Sequence, residues 1–431
     1  MRKWTLLCVA GMLTAGMFMP AAASAGEPQV REDYITLTGD VGPGPAGNTR
    51  LHVLRVGSPS ARQVLVLVPG QFGAAGDFRF LARELAGRLP STQVWAVDRR
   101  EQDLADLSGF RSGHPDRAAA YYLGGQYRAQ TAQTAPYVAD WGLSVTLEDL
   151  RRVVLAARDG GRRQVVLGGH SWGAATALAY AGWDFDGRAG YRDLSGLVLI
   201  DGGVHDAFAG EGDVYRLSVQ DAADRLTKIA GGEVFDPALT MGRTETFAIL
   251  QQLAGQYAKA APNAPSALAA YLPAALRPPT PVTNLALLDW LFVGHPLVAD
   301  ASVNPAYTRL PVLADAMAGP VPSAFEWYWP ERLTLDLEAT DAYGRTAAAD
   351  LLGLRLWHTH DIDVPLYSFQ TGLTHGTVNT AAQWVVENSK IPAASYGGDN
   401  AMTHLDVPWA DPQRNTMLRS VAPFLRQLNG R

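Results

Sequence analysis

The sequence predicts an α/β protein: a mainly parallel sheet flanked by helices and interrupted once by a large helical insertion. Three observations carry that expectation. Short runs rich in Val, Leu and Ile alternate with helical patterns through the first half of the chain, as strands joined by crossover helices do. The alternation stops near His205 and resumes near Asp361. Finally, QVVLGGHSWGAATALAY (164–180) passes from a β-branched run through Gly168, Gly169 and Gly173 into small helix formers, which reads as a sharp strand-to-helix turn.

The first 25 residues stand apart. Arg2 and Lys3 precede an apolar run from Thr5 to Met19, and Ala23-Ser24-Ala25 follows. A positive start, an apolar core too short to span a bilayer and a small-residue cleavage site describe a secretory signal peptide. Cleavage is expected after Ala25, with export to the periplasm or beyond. The single cysteine, Cys8, falls inside this segment, so no disulfide is expected in the mature chain. Among the 431 residues, 47% are hydrophobic and 18% charged, which suits a globular protein with a sizeable core. Without Arg2 and Lys3, 34 basic residues face 42 acidic ones, a net charge of −8. That balance disfavours nucleic acid and anionic membranes as partners.

In chain order, strands are predicted near 34–38 and 50–56. QVLVLVPG (63–70) is a buried strand ending at Pro69-Gly70, with a helix after it at 78–89. QVWAVDRR (93–100) is the next strand, and the helix at 146–161 is stopped by paired glycines. Strand 164–168, helix 174–182 and strand 194–203 follow. From 205 to 361 only helical segments appear, broken by prolines as in LRPPTPV. The alternation returns with strand 364–372, helix 379–390, strand 392–398 and a last helix near 412–428. The expected organisation is therefore signal peptide 1–25, first part of the core 26–204, cap or lid 205–361, and second part of the core 362–431. An insertion of that length far exceeds an ordinary loop.

Ser171 sits at the apex of the turn. A tight strand-to-helix turn crowds the residues two before and two after its apex, and both are glycine here, Gly169 and Gly173. The apex side chain then projects above the strand ends, over a helix N-terminus that favours developing negative charge. A serine nucleophile needs a base. Among the later histidines, His404 lies between the last strand and the last helix, on a loop that returns to those strand ends.

With these features the chain resembles the α/β-hydrolases over roughly 33–204 and 362–430, with the nucleophile elbow at Gly169–Gly173. The resemblance implies a serine hydrolase, most simply a carboxylic ester hydrolase, that needs no cofactor and no metal. It implies an oxyanion hole from the amide of Trp172 and one from the loop Pro69-Gly70-Gln71-Phe72, so Gln71 and Phe72 are candidates. It also implies an acid after a late strand. SFQTGLTHGT after strand 364–372 contains neither Asp nor Glu. Some members carry the acid one strand earlier, where this chain has Asp201 in LVLIDGG. Asp206, Asp399 and Asp363 are its rivals, and an Asp before two glycines also serves as a turn former.

Other patterns suggest different chemistry. GQFGAAGDF (70–78), with Asp98 ending the next strand, has the outline of a dinucleotide loop, but its glycine spacing departs from that fingerprint. HTHDID (358–363) gathers potential metal ligands without a second cluster to complete a site, and polar lid contacts are expected there. In PSAFEWYWPERL (322–333), Trp327 and Trp329 form either a wall of an apolar substrate pocket or the cap's own core. The expected partner is a small-molecule or lipid-like ester. Two other readings stay open: a peptidase or amidase, in which Glu326 or Asp341 would face a substrate amine, and a non-catalytic ligand-binding protein of the same fold.

Overall fold

The computed structural model describes residues 30–39, 42–237, 245–294, 302–319 and 321–430. The expected signal peptide lies outside them. Among the described residues, eight strands form the main sheet: β1 (Glu32–Thr38), β2 (Arg50–Val56), β3 (Gln63–Val68), β4 (Thr92–Val97), β5 (Gln164–His170), β6 (Gly196–Ile200), β7 (Leu366–Gln370) and β8 (Ala394–Gly398). Their spatial order is β1-β2-β4-β3-β5-β6-β7-β8. The β1–β2 and β2–β4 pairs are antiparallel and all later pairs are parallel.

The central strands read as continuous apolar runs because both their faces are covered. In β3, Val64, Val66 and Val68 point to one side, where they pack with Leu147, Val153 and Leu178. Leu65 and Leu67 point to the other, against Leu81, Leu85, Val421 and Leu425. The helices on the first side are α3 (Leu143–Arg158), α4 (Trp172–Gly182) and α11 (Thr377–Glu387), and those on the second are α1 (Arg79–Arg88) and α13 (Thr416–Asn429).

The remaining helices are α2 (Pro115–Leu123), α5 (Val219–Ala230), α6 (Thr246–Ala260), α7 (Asn284–Asp289), α8 (Leu310–Ala318), α9 (Glu331–Thr340), α10 (Ala347–Leu351) and α12 (Asp406–Trp409). Packing divides the chain differently from boundaries at 205 and 361. Phe110, Tyr122, Tyr127 and Trp141, which precede the insertion, share a core with Leu253, Leu288, Leu313 and Trp327. Conversely, Trp329, Leu333, Leu337 and Leu356 pack on the sheet side with α3 and α4. Loss of strand pattern marks where the sheet pauses, whereas shared burial decides which residues form the cap.

Strand register brings the functional segments together. Val68 pairs with Gly169, His170 with Ile200, and Ile200 with Phe369. The residues just beyond these pairs, Pro69-Gly70, Ser171, Asp201 and Thr371, therefore lie side by side at the carboxyl ends of four adjacent parallel strands. That edge is where open α/β sheets place their ligands.

Candidate active site

Ser171 joins β5 to α4 with φ 56° and ψ −130°, a conformation costing a non-glycine residue about 1–3 kcal/mol. The turn admits no side chain at its shoulders. A Cβ on Gly169 would stand 2.0 Å from the Gly173 carbonyl oxygen, and one on Gly173 would stand 2.1 Å from that of Val68. The Ser171 N–H donates to the Ile200 carbonyl at 2.9 Å, which locks the apex to β6.

Asp201 follows β6 and is fully buried. Its Oδ2 lies 2.6 Å from His404 Nδ1 and accepts the Thr371 hydroxyl at 2.5 Å, while its Oδ1 accepts the Thr371 N–H at 2.6 Å. Burial pushes the carboxyl up, but the hydrogen bond and charge of His404 and both bonds from Thr371 outweigh it and hold Asp201 below the usual carboxylate range. Because this carboxylate can only accept, it holds a proton on Nδ1, which leaves Nε2 as the nitrogen through which the ring can gain or lose its second proton.

His404 is 4% exposed, and its ring lies 4.1 Å from that of His170, the residue before Ser171, with the two planes tilted by 33°. His170 Nε2 meets the His404 carbonyl at 3.2 Å. Burial, then the neighbouring His404 charge, push His170 down to about 3, so it is a neutral ring beside His404 near pH 7. Asp77 is buried nearby, and desolvation raises its carboxyl to about 7 against the pull of His404.

The rival acids are engaged elsewhere. Asp206 pairs with Arg216 at 2.6 Å, Asp399 accepts from Tyr307 at 3.0 Å, and Asp363 is exposed. Gly70 presses on the serine: a Cβ there would be 2.7 Å from Ser171 Cβ and 3.3 Å from its Oγ. The backbone N–H groups of Gln71, Phe72 and Trp172 donate to no described residue.

The aromatic pair sits deeper than a pocket wall. Trp327 is fully buried, edge-on to Phe110, Tyr122 and Tyr127. Trp329 is 1% exposed, 6.1 Å from Phe72 and beneath the Arg99 guanidinium. Beside the elbow, the rings of Phe208 and Tyr215 each lie 5.2 Å from that of Trp172, and Phe78 stands edge-on to His170 at 6.5 Å. The two acids considered for a substrate amine are also committed: Glu326 to Arg99, and Asp341 to the Asp206 N–H and Arg216.

Asp98, the acid of the dinucleotide-like pattern, is a loop anchor. It is fully buried, accepts the Ala75 N–H at 2.5 Å and bonds the Tyr34 hydroxyl. In HTHDID, residues Thr359–Asp361 form a short helical turn, so His358 and His360 share no strand face. His358 approaches Asp184 at 3.4 Å, and His360 meets the Asn388 carbonyl at 2.7 Å.

Sequence reasoning missed Thr371 and His170, and nothing in their local pattern marks them. It also missed Arg99, and it offered Glu326 to a substrate amine where the structure pairs it with that arginine. Two arginines directly after a wholly buried strand were a usable signal, since charged residues are rarely buried without a partner.

No protein-family model matches the chain, and no curated protein does either. Solved structures do. A candidate lipase from Sulfolobus solfataricus aligns over 93% of this chain and 95% of its own, at 18% identity and a TM-score of 0.56. An epoxide hydrolase from an endophytic Streptomyces aligns over 93% and 96%, at 17% identity and a TM-score of 0.45. With its strand order and elbow, the chain has the α/β-hydrolase fold.

Proposed function

We propose that the protein is an exported serine hydrolase that cleaves a carboxylic ester through an acyl-enzyme on Ser171. The observation that carries this reading is the buried His404–Asp201 contact of 2.6 Å, at the strand ends where the strained Ser171 stands. Asp201 keeps the proton on Nδ1 of His404, so Nε2 takes the Ser171 proton as Oγ attacks the ester carbonyl. The N–H of Trp172 and one from the Gln71–Phe72 loop stabilise the oxyanion. His404 then protonates the departing alcohol, and a water molecule activated by the same imidazole releases the acid.

The substrate is a small or lipid-like ester with an apolar or aromatic moiety, a choice supported by Trp172, Phe208 and Tyr215 beside the elbow. Engagement of Glu326 and Asp341 within the protein disfavours a peptidase that reads a free amine. Export rests on the amino-terminal segment ending at Ala25, and no helix among the described residues is long and apolar enough to cross a membrane.

The test is hydrolysis of a short and a long p-nitrophenyl ester by the secreted chain beside Ser171→Ala. Loss of turnover in Ser171→Ala is expected, and the ratio between the two esters sizes the acyl site. A folded protein inactive on both esters would refute the esterase reading.

A further inference from the structure

The loop that holds the second oxyanion donor is gripped from behind by one buried arginine. Arg99 follows β4 and is 6% exposed. Its Nη1 donates to the Pro69 carbonyl at 2.9 Å, and its Nη2 donates to those of Gly70 at 2.9 Å and Gly73 at 3.0 Å. The guanidinium lies 4.5 Å from the Trp329 ring centroid. Glu326 Oε2 accepts from Nε at 3.0 Å and from Nη2 at 2.8 Å. Burial pushes the Glu326 carboxyl up against the pull of Arg99, so the charge balance of the pair leans toward the arginine.

The peptide bond makes this grip consequential. The Gly70 carbonyl and the Gln71 N–H belong to one planar trans unit, so they point in opposite directions. A cation fixed on the oxygen therefore fixes the N–H direction away from Arg99 and draws amide electron density toward the oxygen, making the N–H a stronger donor. The Gly73 N–H adds a second donor to the same oxygen at 3.1 Å. Gly70 itself abuts Ser171. The next peptide, which carries the Phe72 N–H, has no such donor on the Gln71 carbonyl among the described residues.

We propose that Arg99 is a positioning residue of the oxyanion hole: its guanidinium, braced by Glu326, aims and polarises the Gln71 N–H toward the oxygen of the carbonyl attacked by Ser171. The inference rests on Ser171 being the nucleophile, and it selects Gln71 over Phe72 as the loop donor. It also makes the segment around Glu326 part of the catalytic framework. That segment is stitched to the loop by Glu326 N–H to the Phe72 carbonyl at 2.8 Å, Ala74 N–H to Ala324 at 3.0 Å and Gly76 N–H to Ser323 at 2.8 Å.

A fluorophosphonate separates the two claims, because Ser171 Oγ displaces fluoride from phosphorus, His404 takes the proton, and the oxygen on phosphorus uses the same hole. Wild type should label and Ser171→Ala should not; an unlabelled wild type overturns the nucleophile reading and this inference with it. Arg99→Lys keeps the charge but not the fork. It should label, and turn over a short ester, about 10–100-fold more slowly with KM within about threefold, since removing one oxyanion donor outright costs about 10²–10³ in kcat. A folded Arg99→Lys that labels at the wild-type rate, while wild type still labels at Ser171, overturns the inference alone. Should Arg99→Lys not fold, a crystal structure of a boronic acid bound to the unsubstituted protein decides. A boronate oxygen within hydrogen-bond distance of Gln71 N supports the inference, and one held by Phe72 N instead overturns it.

Discussion

Replacing Asp201 by Asn tests the site most sharply, because the structure dictates which way the amide must face. Three donors converge on this carboxylate: the Thr371 N–H on Oδ1, and the Thr371 hydroxyl and His404 Nδ1 on Oδ2. A backbone N–H can only donate, so the Asn oxygen must take the Oδ1 place and its NH₂ the Oδ2 place. The amide then donates to His404 Nδ1 and forces the proton onto Nε2, the nitrogen that should receive the Ser171 proton. The ring stays in position in the wrong tautomer. Such a change costs on the order of 10³–10⁴ in kcat, equivalent to about 4–5.5 kcal/mol of transition-state stabilisation. Steady-state hydrolysis of p-nitrophenyl acetate reads it, with KM expected to change little. A folded Asp201→Asn variant within about tenfold of wild-type kcat would refute the assignment of Asp201 as the orienting acid. The folded-state carboxyl of Asp201 is held below its unfolded value near 4, so its stabilising contribution is present above about pH 4 and is lost as pH falls through the folded value. The stability gap between wild type and Asp201→Asn should therefore narrow on acidification.

Gly173→Ala places a Cβ 2.1 Å from the Val68 carbonyl oxygen, and urea unfolding should show a loss of at least about 1–3 kcal/mol, with esterase activity falling as the elbow shifts. Asp77 has the opposite pH sign to Asp201: its raised folded value near 7 makes the folded state hold a proton that the unfolded state releases, so stability declines between about pH 4 and pH 7. Asp77→Asn should accordingly be more stable than wild type by about 2–4 kcal/mol at pH 8 and show no such gain at pH 4, as read by chemical denaturation. Arg100 meets Asp149 with two hydrogen bonds of 2.6 and 2.7 Å, both side chains being buried. Arg100→Leu leaves a buried carboxylate without this partner and should cost about 3–5 kcal/mol, and an unchanged urea midpoint would contradict that account.

Much of the fold was legible because its determinants are local. QVLVLV must be buried on both faces, and all six residues of β3 are. The elbow was legible because glycines two before and two after a serine answer a steric demand inside one turn. Boundaries of the cap were less so. Residues such as Phe110 and Tyr122 carry no label saying whether their apolar surface faces the sheet or the helices beyond it, and only packing assigns them to the core around Trp327. The aromatic run at 325–329 likewise suits a pocket wall and a core equally, and the structure buries Trp327 and Trp329 completely enough that neither presents a face to solvent.

From the sequence alone follow the alternation of strands and helices, the strained serine turn and the short list of histidines and acids able to serve it. Each depends on neighbours within a few residues, where residue type and spacing constrain the backbone directly. The partnerships required the tertiary structure. His404 meets Asp201 across 203 positions, and Arg99 meets Glu326 across 227. An aspartate before two glycines reads the same whether it shapes a turn or orients an imidazole. The difference arises when parallel strands in register bring their carboxyl ends together and exclude water, so that a buried charge must find its partner there.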